Sequence, residues 1–318
     1  MLQYFTRRVL YLIPVLFVMS ILIFSMVHLA PGDPVLVLLN SSERAAVSPE
    51  MIEAVTKELG LDKPLYQQYL VFLGGLLRGD LGTSYQLRKP VLEVVSDRIW
   101  PTIQLALSSI VVSLLLSVPL GIISAMRRGS LIDNVTMAFA VTGVSTPNFW
   151  FGLILILLFA VKLGWLPSFG IGYMKDGIGS VLAHLLLPSL TLGLSLMAIV
   201  TRMTRSSLLE VLGMDYVQTA RAKGLAESVV LRRHALRSAI IPVITVVGLQ
   251  FGALLGGSVI TETIFAWPGI GRLMITAIQR RDFPLVQGLT LIFTFSFLLI
   301  NLIVDLTYSF CDPRIRYD

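Results

Sequence analysis

The 318 residues are 55% hydrophobic and 14% charged, with a mean hydropathy of +0.81, whereas a soluble domain carries about 25% charged residues. So few charges cannot cover a water-facing surface, which excludes an ordinary soluble domain and requires long apolar runs to face lipid. The net charge of +6 is read as the basic side of a membrane protein, not as affinity for nucleic acid, and the single cysteine, Cys311, excludes an internal disulfide or a zinc cluster.

In chain order, Arg7 and Arg8 precede an apolar run from Val9 to Leu29. A secretory signal has a shorter apolar core, roughly 7–15 residues, and ends at a small-x-small cleavage site. This run ends at His28-Leu29-Ala30-Pro31 with no such site, so an uncleaved first transmembrane helix is expected. Further runs of about 20 apolar residues, enough to cross a bilayer as helices, lie near 102–123, 134–161, 181–200, 242–261 and 287–310. Backbone groups in lipid must be satisfied internally, which selects helices over open sheets. The expected fold is an all-α integral membrane protein with six transmembrane helices. Pro119 and Pro147 fall inside the second and third spans and are expected to kink them.

Basic residues set the orientation. Arg7, Arg8, Arg127, Arg128, Arg202, Arg205, Arg221, Lys223, Arg232, Arg233, Arg237, Arg314 and Arg316 all fall on one side of the six spans. That side is predicted to be cytoplasmic and to hold both termini. The opposite short loops carry only Lys162, Lys175, Arg272, Arg280 and Arg281. The segment 30–101 also carries basic residues, but loops beyond about 60 residues cross largely regardless of charge, so it is expected to be extracytoplasmic. Within it, Ser48 reads as an N-cap with Pro49 at the first helical position. Gly60 closes that helix, and a second short helix follows Lys63-Pro64.

The segment 201–241 is the most informative. Asp215-Tyr216-Val217-Gln218 reads as a capping box, with Gln218 reaching back to the cap. The helix it opens runs to Lys223, and Gly224 suits a left-handed C-cap. A second basic helix, about 227–240, leads to Pro242 at the mouth of the fifth span. The pair projects from the membrane and is expected to offer Tyr216, Val217 and Ala220 outward, either to a partner's groove or to lipid headgroups.

In the fifth span, Gly248, Gly252 and Gly256 share one helix face, with Gly257 adjacent. Such a face lets backbones approach closely, against a partner subunit along the pathway or against another helix of this chain. Glu262, at the outer end of that span, is open between lining an outer gate and capping a helix. Asn301 and Asp305 lie one turn apart near the cytoplasmic end of the sixth span; an intramembrane carboxylate is a functional suspect, and one near an interface can also pair with an arginine. His28 and His184 are expected at the outer membrane surface.

Thr219-Ala220-Arg221-Ala222-Lys223-Gly224-Leu225 resembles the loop with which binding-protein-dependent ABC importer permeases dock their ATPase. The family pattern is Glu-Ala-Ala, three residues, Gly, nine residues, Ile-x-Leu-Pro. This chain keeps Ala220, Gly224 and Leu236, and has Gln218, Thr219, His234 and Arg237 at the remaining positions. Those departures are similar to the dipeptide/oligopeptide permease branch, B-type subunit. So are Pro31-Gly32-Asp33-Pro34, Leu59-Gly60-Leu61-Asp62-Lys63-Pro64, Gly79-Asp80-Leu81-Gly82, Arg202-Met203-Thr204-Arg205-Ser206, Thr261-Glu262-Thr263-Ile264-Phe265, Trp267-Pro268-Gly269 and Asp312-Pro313-Arg314-Ile315-Arg316.

The resemblance implies a type I ABC importer permease fold in the bacterial inner membrane. It divides the chain into 1–97 (first helix and extracytoplasmic segment), 98–311 (transmembrane domain with the docking loop) and a 312–318 tail. It implies ATPase docking through Asp215, Tyr216, Val217, Thr219, Ala220, Arg221, Ala222, Lys223, Gly224 and Leu236. The expected partners are a second, homologous permease, two cytoplasmic ATPase subunits and an extracytoplasmic binding protein. No phosphate loop of the Gly-x-x-x-x-Gly-Lys-Ser/Thr kind is present, so ATP and Mg are expected on the ATPases and no cofactor or catalytic residue on this chain. Di- and oligopeptides are the expected cargo, with glutathione, nickel complexes or opines as the alternative. Two rivals remain from the residues. An ion-coupled transporter would bring charged or broken-helix sites at mid-membrane. A serine protease built on Ser145 would find only His184 as its base.

Overall fold

The computed structural model describes residues 2–29, 35, 48–58 and 60–311. In chain order the helices are α1 (Leu2–Leu29), α2 (Pro49–Glu58), α3 (Leu65–Leu77), α4 (Val91–Met126), α5 (Leu131–Ser145), α6 (Asn148–Leu155), α7 (Ile178–Leu212), α8 (Asp215–Ala222), α9 (Leu236–Ile264), α10 (Ile270–Gln279) and α11 (Phe283–Cys311). A wider π-helical turn, Ile156–Lys162, extends α6, and another, Val230–Ala235, leads into α9. Asp312 to Asp318, including the expected tail, lie outside the described residues.

Among the described residues, four helical stretches are long and apolar enough to cross a membrane: Val91–Met126, Ile178–Leu212, Glu227–Gly252 and Phe283–Ile303. The apolar stretch of α1, Leu10–Met26, is shorter. The expected third span, 134–161, needs correction. It is two helices, α5 and α6, that meet at 109°. Thr146 stands before a proline and takes an extended ψ of 126°, and Pro147 has no N–H to continue the ladder. The expected kink is a full break. Pro119, by contrast, lies inside α4 with no interruption of the helix.

The chain forms two compact units. The first comprises 1–101 and 269–299. There α2 opens as expected: Ser48 Oγ accepts from the Met51 N–H (3.3 Å), and Gly60 follows with φ +65°. The C-terminal half of α1 packs on α3 through Phe24, Tyr69 and Phe72, with Ser20 Oγ and Tyr69 OH 2.9 Å apart. His28 Nε2 lies 3.0 Å from Gln68 Oε1, a helix-to-helix contact in place of a ligand site. The core joins Val91, Val94 and Val95 to Ile270, Ala277, Leu285 and Leu289. Buried Asp282 holds the loop before α4. Its carboxylate accepts from the Ser84 hydroxyl and from the backbone N–H groups of Tyr85 (3.1 Å) and Gln86 (3.2 Å). Burial, and then the charge of Asp282, pushes the Tyr85 hydroxyl up to about 12.

The second unit comprises 102–268 and 300–318. Its centre is α7, which buries apolar and small residues on all sides, as a helix surrounded by others must. Leu192, Leu196 and Val200 of α7 pack with Leu105 of α4, Val243 and Leu254 of α9, and Trp267. Helices α4 and α7 approach so closely that a Cβ on Gly121 would lie 2.6 Å from Thr204 Cβ, and one on Gly193 would lie 2.3 Å from Ser113 Oγ. Small residues permit this contact, which dispersion and interhelical hydrogen bonds then stabilise. One such bond runs from Ser113 Oγ to Gly193 O (3.0 Å).

Candidate functional site

The segment after α7 folds into the expected helix-glycine-helix projection. Its first helix is α8, and Gly224 takes φ +76° just past its end, with open space where a side chain would stand. The capping box does not form. Met214 is the N-cap and makes no side-chain cap bond, Asp215 is the first helical residue, and the Gln218 amide donates to Leu212 O (3.4 Å). The chain reverses so tightly after α7 that Gln218 meets the preceding helix end in place of its own.

The facing of α8 is the second correction. Val217 and Ala220, expected to be offered to a partner, are 0% and 5% exposed. They enter an apolar cluster with Ala125 of α4, Leu208 and Val211 of α7, and Val230, Ala235 and Ala239 on the return. An eight-residue helix has too little surface to stand alone; these two positions fasten it to the spans. The outward face consists of Asp215, Tyr216, Thr219, Ala222, Lys223 and Gly224. Leu236 is half-buried at the start of α9. Two polar contacts brace the projection. Tyr216 OH lies 3.1 Å from Ser238 Oγ, and Arg221 pairs with Glu227 (2.6 Å). That hydrogen-bonded carboxylate raises the Arg221 guanidinium above its ordinary value.

Directly beneath lies a charged cluster. The Asp133 carboxylate, 2% exposed, accepts a fork from Arg205, with Nε–Oδ1 at 2.6 Å and Nη2–Oδ2 at 2.8 Å. It also accepts from Ser124 Oγ and the Gly129 N–H (2.9 Å). One side chain on α5 thus binds the end of α4, the α4–α5 turn and α7. A planar guanidinium suits this two-point geometry. Removing one partner from such a buried pair costs about 3–5 kcal/mol. Sequence reasoning used Arg205 as a topological marker and as part of the stretch Arg202-Met203-Thr204-Arg205-Ser206, and passed over Asp133. The available signal was a carboxylate at the edge of an apolar run.

The remaining candidates scatter. Glu262 is fully buried and accepts from Thr102 Oγ1 (2.7 Å). Gly248 is half-buried, Gly252 buried and Gly256 exposed; among the described residues a Cβ on Gly256 would meet nothing within 4 Å. Asn301 is half-buried on α11, and the side chain of Asp305 lies outside the described residues. Ser145 Oγ donates to Val141 O (3.1 Å) and His184 Nδ1 to Ser180 O (2.8 Å), each within its own helix. Among the described residues no hydrogen bond joins the two, and no cluster of acids, histidines or cysteines could hold a metal.

Residues 117–317 match the family described as "Binding-protein-dependent transport system inner membrane component", and residues 1–106 match its N-terminal region. The glutathione transport system permease protein GsiC of Escherichia coli (strain K12) is 44% identical over the whole of both chains. The protein of the same name from Pectobacterium atrosepticum is 45% identical, again over the whole of both. Inward-facing structures of the MetNI methionine ABC transporter share the fold, with a TM-score of 0.53 at 18% identity over 70% of this chain and 97% of that one. An amino acid ABC transporter crystallised with histidines gives 0.52 at 17%, over 68% and 93%.

Proposed function

We propose that this chain, which belongs to the binding-protein-dependent transport system inner membrane component family, is a permease subunit through which an ABC importer brings glutathione into the cell. The role of importer permease follows from family membership. The family's permease subunits are non-catalytic, and ATP is hydrolysed on separate subunits. The cargo is our inference. It rests on 44–45% identity with glutathione permeases along the entire length of both chains. That observation favours glutathione over the di- and oligopeptides first expected.

The outward face of α8, with Tyr216, Thr219, Ala222 and Lys223, is the surface we assign to the ATPase. Val217 and Ala220 hold that surface in place. The apolar end of the return, around Leu236, continues the same projection. A second permease completes the pore, two ATPases bind ATP and Mg, and a binding protein delivers cargo to the opposite side. With that assignment both termini and 201–241 are cytoplasmic and 30–101 is extracytoplasmic, and the division into 1–97, 98–311 and 312–318 is kept as part of the proposal. The basic residues of the short loops support this orientation.

The test is uptake by the full importer, its two permeases, ATPases and binding protein reconstituted in proteoliposomes. Labelled glutathione should accumulate only with ATP on the ATPase side, and an ion gradient alone should drive nothing. Uptake of dialanine without uptake of glutathione would overturn the cargo assignment and leave the importer role intact.

A further inference from the structure

We propose that Asp133 and Arg205 form a positioning clamp that carries movement of the α8 projection into α5 and the broken span beyond it, and thereby sets how much cargo moves per ATP. The inference rests on the docking role assigned above to α8.

The connections around the projection are unequal. To α4 and α7 it is fastened by packing, because Ala125, Leu208 and Val211 share one apolar cluster with Val217, Ala220, Val230, Ala235 and Ala239. No residue of α5 belongs to that cluster. At this end of the bundle, α5 is tied in through the Asp133 carboxylate. Its donors sit on the very segments that carry the apolar cluster: Ser124 adjoins Ala125 on α4, and Arg205 precedes Leu208 by three residues on α7. A push on α8 therefore reaches α4 and α7 through side-chain packing; α5 lies against α7 further along, where Gly143 faces Leu194 and Ala198, and at this end it meets the same supports through the Asp133 carboxylate.

What lies past α5 gives that connection its importance. The helix breaks at Thr146-Pro147 and turns through 109° into α6. At the break the Pro147 ring fixes its own φ and the Thr146 N–H still bonds Thr142 O (2.9 Å), so rebending falls on the ψ angles of Thr146 and Pro147, which act as the hinge. Beyond the break, Asn148 Oδ1 accepts from Ser195 of α7 (3.1 Å). The broken span is thus held to α7 on both sides of its hinge, at Arg205 and at Ser195. Asp133 is gripped from α4 by Ser124 as well as from α7, so a shift of α4 against α7 moves the start of α5 relative to the Ser195 hold and changes the bend. A single point charge would tolerate sliding, whereas the two-point fork of Arg205 fixes both distance and angle.

The experiment uses the complete reconstituted importer with Arg205→Ala, Asp133→Asn and Arg205→Lys. Three quantities are measured: ATPase recovered with the permease, ATP hydrolysed, and glutathione taken up, or dialanine if that is what the importer carries. We expect ATPase recovery and binding-protein-stimulated hydrolysis to persist. Uptake should fall about tenfold in Arg205→Ala and Asp133→Asn, so that ATP spent per cargo rises by the same factor. Arg205→Lys, which keeps the charge and loses the fork, should fall between. A purely architectural pair would lower hydrolysis and uptake together, in proportion to recovered complex, with ATP per cargo unchanged; that result overturns the proposal. If Arg205→Ala does not assemble, Arg205→Lys and Ser124→Ala decide. An unchanged ratio in both, or failure of both to assemble, also overturns it. Failure of the docking assignment shows differently, as normal ATPase recovery in a Thr219→Arg or Lys223→Glu variant.

Discussion

Two sets of glycines in the second unit do opposite things. Gly121 and Gly193 sit on the α4–α7 seam, where hypothetical Cβ atoms would lie 2.6 Å from Thr204 Cβ and 2.3 Å from Ser113 Oγ. Gly256, on α9, has the helical spacing that marks a packing face, yet among the described residues nothing stands within 4 Å of its missing side chain. The first set lets two helices of one chain touch. The second leaves a surface of the chain unfilled. Spacing alone cannot tell these apart, because it reports which residues share a face and not what the face meets.

The comparison can be broken by adding one methyl group at a time. The largest effect is expected at Gly121→Ala. Its new carbon meets Thr204 Cβ and, at 2.8 Å, Thr201 O, neither of which can swing aside. Overpacking of that kind costs about 3 kcal/mol and should appear as a sharp loss of folded chain in detergent melting. Gly193→Ala should cost less, about 1–2 kcal/mol, because the nearest atom is the Ser113 hydroxyl, which can rotate; normal melting there would show that the seam is looser than the distances imply. Gly224→Ala comes next. Its side chain would meet open space, so the penalty is the left-handed backbone alone, about 1 kcal/mol, and the sensitive readout is ATPase recovery. Gly256→Leu should leave the melting of the chain unchanged and reduce only its recovery with the second permease. Destabilisation of the chain itself would place Gly256 with the seam and collapse the distinction.

Ala220→Asp separates the two faces of α8 in the same spirit. Read as an outward residue, it would affect ATPase contact alone. Buried at 5% exposure among apolar neighbours, an unpaired carboxylate costs several kcal/mol, and the whole projection should detach from the spans. Protease sensitivity of 213–235 would report it.

Much of the fold was legible because a bilayer demands long apolar runs, and such runs are visible in any sequence. The site of the third-span break was legible too, since Thr146-Pro147 removes a donor and disfavours helix before it. Its size was not, because a proline says where a ladder fails and not how far the halves then turn. The α8 helix was legible by position, from Gly224 and the basic residues around it. Its facing was not: with eight residues, one apolar pair such as Val217 and Ala220 serves equally as anchor or as contact. The distant partners of Asp133 and Asp282 were hidden for a plainer reason: Arg205 lies 72 residues from Asp133, and Ser84 and Gln86 lie 198 and 196 from Asp282, and no local pattern encodes a contact at that separation.

The grip of Asp282 on Ser84, Tyr85 and Gln86 bears on how the protein is made. Ser84 precedes Asp282 by 198 residues. At a synthesis rate of about 5–20 residues per second, the loop leaves the ribosome some ~10–40 seconds before the carboxylate that holds it exists. Through that interval its hydroxyl and amide donors must be satisfied by water or by a chaperone. A nascent chain arrested between α9 and α10 would therefore carry an unlocked loop, open to proteases on its side of the membrane, and a complete chain would not. Closure of that one knot amounts to a signal that the last helix has arrived.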